Sequence, residues 1–327
     1  MFFNRKKKYP IGLIAKDIED LRDYQLANMQ SLAEDLPEEF DLRNQMTPVG
    51  RQNWGSCTTW AACAVAEFWN TKEYNQITNL SEKFVYHNMK KISGLWTIQG
   101  DYLVNALKSI CKYGAPEIKD YPDIKELSWS KYVNKIPSEE IYKKAEKYKG
   151  KTYWTVGRTL EEIKSAIYQN KCPVAIGMRW YKNFNKVKKD GILPLPSGEA
   201  YGGHAFSCVG WKKDRLIFKN SWGTSSADKG YFYILFKDFD RYAIWNARIL
   251  LDIKEEKTEG YVAIKYLKTD AYKQGTKVYP YTSLRMRDKP TVKGNKIMML
   301  EKGKECEIAS DIAINADNYL WQKVKVV

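Results

Sequence analysis

A chain of 327 residues is long enough for one large domain and a small one, each with its own core. Apolar residues make up 44% and aromatics 14%, which excludes a disordered chain. The formal net charge of +15 fits attraction to polyanions such as nucleic acid or an acidic cell wall, and charge alone does not choose between them.

No stretch approaches the roughly 18 uninterrupted apolar residues that a membrane span needs. The basic start, Met1 to Lys8, is not followed by the apolar run of a secretory signal, so no signal peptide is expected. Cysteines at 57, 63, 111, 172, 208 and 306 show neither regular spacing nor a metal-type Cys-x-x-Cys pair. They read as reduced, with all but Cys57 as core residues.

In chain order, residues 1–36 carry Tyr9-Pro10-Ile11-Gly12 and then a charged, weakly amphipathic stretch from Asp17 to Leu32. The segment is too short for a domain. It reads as a peripheral strap over the body, with a small inhibitory segment as the alternative. Leu36-Pro37 to Arg43, Thr47-Pro48-Val49 and Gln52 open the main domain.

Gly55-Ser56-Cys57-Thr58-Thr59-Trp60-Ala61-Ala62 then places a thiol behind two small residues and at the head of a helix. Trp60, Ala61, Ala64, Val65 and Phe68 recur at helical spacing, which predicts a helix of about 14 residues. The partial positive charge and free N–H groups of a helix start favour thiolate, the nucleophilic form. A second helix is predicted near Ser81, and a third from Gly100 to Tyr113, stopped by Gly114 and Pro116. Thr159-Leu160-Glu161-Glu162 is a capping box that opens another.

After it the texture changes to short strand-like runs at Pro173–Met178, Ala205–Trp211, Leu216–Phe218 and Tyr231–Phe236. Helices first and strands second imply an α+β arrangement of two packed lobes with a cleft between them. Of the two histidines, His87 sits mid-helix and reads as structural. His204 follows Gly202-Gly203 and precedes a predicted strand, so its ring projects from a strand end into the cleft. Asn220, in Lys219-Asn220-Ser221-Trp222-Gly223, closes the next strand, where it can face His204 while Trp222 shields their hydrogen bond. Cysteine, histidine and a carboxamide from two lobes make a nucleophile, its base and the group that orients the base.

Gly55-Ser56-Cys57, Gly203-His204-Ala205, Lys219 to Thr224 and Gly230-Tyr231-Phe232 resemble the papain-like cysteine peptidases, over about Pro37 to Phe239. Asp41-Leu42-Arg43, Leu80-Ser81-Glu82, Tyr113-Gly114 and Tyr121-Pro122 follow in the family's order, and Tyr9 to Tyr24 is similar to the short leader of bacterial members. The resemblance implies Cys57 as nucleophile, His204 as base and then acid, Asn220 as orienter, and Gln52 with the Cys57 N–H as oxyanion donors. An ion pair with His204 would bring the thiol from about 8.5 toward roughly 3–4. Substrate backbone would lie along Gly100-Asp101 and Gly203, beside Trp222. Gln52 stands one residue closer to the cysteine than in papain, Asp101 is expected to put a charge at the substrate edge, and Ser226-Ala227 in place of Trp-Gly is expected to loosen the Trp222 shield.

Beyond residue 258 short alternating runs at Val278–Pro280, Leu284–Pro290, Ile297–Leu300, Lys302–Ile308 and Trp321–Val326 predict a small closed β-barrel. Leu284-Arg285-Met286-Arg287 and Trp321-Gln322-Lys323-Val324 resemble bacterial SH3-like domains, which attach enzymes to wall polymers. A barrel that only stabilises its neighbour is the alternative. The expectation is a papain-like α+β fold of a helical lobe and an antiparallel β-barrel-like lobe, with residues 1–36 as leader or strap, 37–257 as peptidase and 258–327 as an SH3-like barrel. The expected partners are a protein or peptide substrate and, through 258–327, a cell-wall polymer. No nucleic acid, membrane span, metal or cofactor is expected. Without a signal, the chain would stay in the cytoplasm until lysis releases it, as for a bacterial or phage product. A transglutaminase-type acyltransferase and a catalytically silent adhesion protein are the rival readings; Asn220 argues against the first and retention of the four site residues against the second.

Overall fold

The computed structural model describes residues 10–18, 20, 23–28, 30–123, 128–251, 259–268, 273–287, 289–294 and 296–326. Tyr9, Leu21, Arg22, Asp288 and the expected boundary at 257/258 lie outside them. The chain divides into two units, residues 1–252 and 253–327.

Helices of the first unit are set by local capping. α1 (Cys57–Tyr74) runs a turn further than its apolar pattern predicts and stops at Asn75, whose left-handed φ of 49° a short polar side chain tolerates. α2 (Glu82–Ser93) starts where Ser81 Oγ accepts from Phe84 N at 3.2 Å, and ends at Gly94. α3 (Leu103–Tyr113) begins later than its sequence suggests, because Gly100 takes a positive φ of 95° and the backbone of Asp101 is bonded to residues 12 and 14. α4 (Trp129–Asn134) and α5 (Glu139–Glu146) are short, and α6 (Leu160–Asn170) opens on the expected Thr159–Glu162 capping box.

The strands are β1 (Tyr24–Gln25), β2 (Glu39–Asp41), β3 (Thr152–Thr155), β4 (Val174–Tyr181), β5 (Ala200–Lys212), β6 (Arg215–Lys219), β7 (Tyr231–Leu235) and β8 (Ile244–Leu251). Among the described residues they form one sheet in the order β1-β3-β8-β4-β5-β6-β7, with β2 on β5. Only β1 and β3 run parallel; the other pairs are antiparallel. His204 is therefore inside β5, opposite Met178 of β4, and not at a strand end as expected.

Two apolar cores result. One gathers Trp180, Phe206, Trp211, Phe218 and Phe232 under the sheet; the other gathers Phe84, Tyr86, Met89, Leu107 and Ile110 among the helices. α1 belongs to both, with Ala64 and Phe68 toward the sheet and Ala61 and Val65 toward the helices. A helix buried on all sides is rigid, so its first residue is a fixed point between the lobes.

The second unit holds β9 (Glu259–Ala263), β10 (Leu267–Lys268), β11 (Lys277–Pro280), β12 (Leu284–Arg287), β13 (Lys296–Leu300), β14 (Cys306–Ala316) and β15 (Tyr319–Val326). They pair in the order β10-β11-β14-β15-β9-β12-β13, all antiparallel, over a core of Val262, Val278, Met286, Leu300, Ile308 and Val324. No helix among the described residues is long and apolar enough to cross a membrane.

Candidate active site

Cys57 is the first residue of α1, and no acidic side chain stands in that helix's first turn. Its Sγ accepts from Gly12 N at 3.1 Å, and the N–H groups of Ala205, Leu13 and Thr58 also face it. Ala205 follows His204 in β5, so the sulfur lies against the strand that carries the imidazole. His204 Nε2 and Asn220 Oδ1 are 2.8 Å apart. An amide oxygen only accepts, so Nε2 carries the proton and Nδ1 is left as the basic atom. Nδ1 is buried and has no hydrogen-bond partner among the described residues.

Aromatic rings fix this imidazole. Trp222 stacks on it at 4.6 Å and 18°, and Trp180 meets it edge-on at 4.8 Å. Trp180 also packs perpendicular to Trp222 at 5.1 Å. The shield is thereby closed from β4, and Trp222 is only 3% exposed, contrary to the looseness expected from Ser226-Ala227. Gln52 Oε1 accepts from Ser221 Oγ at 2.5 Å, which turns the Gln52 Nε2 toward the Pro10 carbonyl at 3.2 Å; Trp222 Nε1 donates to the same oxygen at 3.1 Å.

That carbonyl belongs to residues 10–14, which run through the cleft. Leu13 pairs antiparallel with Gly203, through N–H···O contacts of 3.2 and 3.1 Å, and parallel with Asp101. Asp101 N donates to Gly12 O at 2.8 Å and Ile14 N to Asp101 O at 3.3 Å. Only glycine fits at position 12, where a Cβ would overlap the Gly55 carbonyl. The leading segment is thus no peripheral strap at this point: it fills the groove, and Cys57 and His204 are both 0% exposed.

Burial decides the charge state. It pushes the Cys57 thiol up to about 11, partly offset by the facing N–H groups, and holds His204 down to about 4, partly offset by Asn220. With the groove filled, both groups are neutral, and the low thiol value implied by the resemblance does not hold in this state. Asp101 also departs from expectation. Its carboxylate turns away from the groove, fully buried, toward Lys90 Nζ (3.4 Å), Ser93 Oγ (2.6 Å), Tyr102 N (2.8 Å) and Asn105 Nδ2 (2.8 Å). Only its backbone faces the groove.

The structure therefore brings Cys57, His204, Asn220, Gln52, Gly203 and Trp222 together, with Gly100-Asp101 along the edge. Sequence reasoning missed Ser221, Trp180 and residues 10–14. Ser221 stood in the same Asn-Ser-Trp-Gly run, and Trp180 continues the alternation of Ile176 and Met178. His87 bonds the Val133 carbonyl at 3.0 Å and is structural. The six cysteines are free; Cys111 is half-buried and the others buried. No cluster of metal-ligating side chains occurs among the described residues.

A helix-borne thiol beside a strand-borne imidazole, in an α+β frame with a groove between two cores, is the arrangement expected of a cysteine peptidase. The chain belongs to the papain family: the family model described as papain family cysteine protease matches residues 36–249. It is 28% identical to an uncharacterized peptidase C1-like protein of Acanthamoeba polyphaga mimivirus, over 61% of this chain and 69% of that one. Mexicain from Jacaratia mexicana is 27% identical over 61% of this chain and 88% of its own length. A cathepsin B-like cysteine proteinase of Caenorhabditis elegans reaches 33% identity over 37% of this chain, which covers only 33% of that protein. In structure the chain is similar to xylellain, a cysteine protease from Xylella fastidiosa, with a TM-score of 0.67 and 24% identity over 78% of this chain and all of the other.

Proposed function

We propose that the chain hydrolyses peptide bonds in proteins or peptides, with Cys57 as nucleophile, His204 as base and acid, and Asn220 as orienter. The observation that carries this reading is the 2.8 Å bond from His204 Nε2 to Asn220 Oδ1, which leaves Nδ1 unpartnered on the strand facing the sulfur. Once the groove is open, the Cys57 proton passes to Nδ1 and the sulfur adds to the substrate carbonyl carbon. Gln52 Nε2, which already holds the Pro10 carbonyl, and the Cys57 N–H stabilise the oxyanion. Collapse breaks the C–N bond while Nδ1 protonates the leaving amine, and water then hydrolyses the thioester by the same exchange in reverse.

The test uses conditions under which an epoxide labels Cys57 of the wild type. A peptide library then acquires new amino termini with the wild type but not with Cys57→Ala or His204→Ala. Equal cleavage by Cys57→Ala would end the reading.

For the second unit the reading is an SH3-like barrel that attaches the enzyme to an acidic cell-wall polymer. It is supported by a groove that sets Arg285 and Arg287 beside Tyr266, Tyr319 and Trp321, with Lys265 Nζ over the Tyr266 and Tyr319 rings at 4.9 and 4.3 Å. Full-length Cys57→Ala should sediment with purified wall sacculi, and the added pair Arg285→Glu and Arg287→Glu should abolish this. Sedimentation that survives the charge reversal would reject the groove.

A further inference from the structure

The segment that fills the groove is fastened by a second set of contacts away from Cys57. Beyond Ile14 it crosses from Asp101 to β8, where Arg248 is buried with its side chain 6% exposed. Arg248 Nε donates to Asp17 Oδ2 at 2.8 Å, and Nη1 donates to Asp23 Oδ2 at 2.9 Å and to Thr155 Oγ1 at 3.0 Å. The two carboxylates, 3% and 6% exposed, both come from the leading segment.

Asp17 is tied on every side. Its Oδ1 accepts from Val104 N of α3 at 3.2 Å, and its own N–H donates to Asn246 Oδ1 of β8 at 2.9 Å. Asp23 Oδ1 accepts from Tyr153 of β3 at 2.9 Å, and β1 follows directly, pairing with the same strand. One guanidinium thus gathers two acids from the segment onto the sheet lobe, while Asp17 reaches the helical lobe. None of these contacts involves Cys57, His204, Asn220 or Gln52.

We propose that the Asp17–Arg248–Asp23 cluster is a latch that holds residues 10–14 in the groove, so that its opening sets the rate at which substrate reaches Cys57. The proposal rests on the reading of Cys57 as the nucleophile of a peptidase. The backbone pairs made by Leu13 are the kind any peptide can make, so they do not by themselves favour the resident segment over a substrate. The buried ionic cluster does: a substrate has no part in it. Removing both acids leaves Arg248 facing neutral amides, which lowers the barrier to lifting the segment without touching the catalytic groups. Arg248→Lys keeps a cation but loses the two-pronged geometry that engages both acids at once.

The full-length protein, the double variant Asp17→Asn with Asp23→Asn, and Arg248→Lys are compared for three quantities. These are the rate of Cys57 labelling by a small neutral epoxide, the rate of peptide hydrolysis, and the thermal midpoint, with intact mass confirming that nothing has been cut off. Ser165→Ala is the control, since it removes only the 2.9 Å bond from Ala33 N, in the part of the leading segment beyond the latch.

Labelling is expected to rise at least tenfold in the double variant, by a smaller factor in Arg248→Lys, and not in Ser165→Ala, with hydrolysis rising in step. Faster labelling without hydrolysis leaves the latch standing and ends the peptidase reading. Labelling at the wild-type rate in both latch variants, while hydrolysis is measurable, overturns the latch. A lowered thermal midpoint without faster labelling overturns it too, because the cluster is then only a staple of the fold.

Discussion

Gln52 has its amide committed at both ends, Oε1 to Ser221 and Nε2 to the Pro10 carbonyl. The orientation is therefore built before any substrate arrives, and the donor position is marked by a carbonyl oxygen already seated there. Removing one preorganised oxyanion donor typically costs about 10²–10³ in kcat. Gln52→Ala, made in the latch-released background, should show a loss of that order in peptide hydrolysis. Epoxide labelling of Cys57 should fall far less, because the sulfur attacks a saturated carbon and forms no tetrahedral oxyanion at a carbonyl, the ring oxygen leaving as an alkoxide that is protonated, and because the Pro10 carbonyl loses a donor. Comparing the two rates separates transition-state stabilisation from damage to the thiol itself; parallel losses would reject the oxyanion role. Ser221→Ala should move kcat the same way by less, since it frees the amide to rotate without deleting it. The chemical groups at this scale were legible in sequence. So was the pairing of His204 with Asn220 under Trp222, but other contacts were not: the inward turn of Asp101 and the closing of the shield by Trp180 depend on strand register, which no local pattern encodes.

Lys90 of α2 shapes the edge of the groove formed by Gly100 and Asp101. Its ammonium is buried, donates to the Ile98 carbonyl at 2.8 Å and to the Gly100 carbonyl, and lies 3.4 Å from Asp101 Oδ2. Burial lowers its proton affinity and Asp101 restores part of it. The 94–101 loop has no regular structure of its own, and this cation pins its two carbonyls so that the peptide groups of Gly100 and Asp101 face the cleft. Lys90→Met leaves a buried carboxylate unpaired, a change that costs about 3–5 kcal/mol. Urea unfolding of the full chain should show that loss, and adding Asp101→Asn should recover part of it; no recovery would mean that packing, not charge, is at stake. The helices were readable because caps are local: Ser81, Thr159 and Gly114 each mark an end within four residues of sequence. β8 was not readable, because Asn246 and Arg248 break its apolar run, and both are there to hold the leading segment. Nor was the path of residues 10–14, whose hold on Gly203 and Asp101 is backbone to backbone and leaves no side-chain signature.

At the scale of the whole first unit, closing the groove is linked to protonation. In the closed state burial holds His204 down to about 4, whereas an open, hydrated imidazole titrates near its ordinary value of about 6.5. Between those values the open form binds a proton that the closed form refuses. Closure is therefore fully supported above about pH 6.5 and weakens by up to tenfold per pH unit as the solution is acidified toward 4. Asp17 works the other way: burial, the largest influence on it, raises its proton affinity in the closed state, which favours closure at the acid end of the window. The imidazole titrates first as pH falls, so its effect governs the upper part. Once open, the thiol proton passes to the imidazole, so the nucleophilic thiolate–imidazolium pair holds the same single proton as the closed, neutral pair. Labelling of Cys57 in the full-length protein should consequently stay nearly level between pH 7 and 5.5, whereas the reactivity of an isolated thiol falls as it is protonated. In Asp17→Asn with Asp23→Asn the rate should be higher throughout this range, because the groove is then open. A labelling rate in the wild type that declines steadily with acid, as a free thiol's does, would show that the sulfur is not paired with His204.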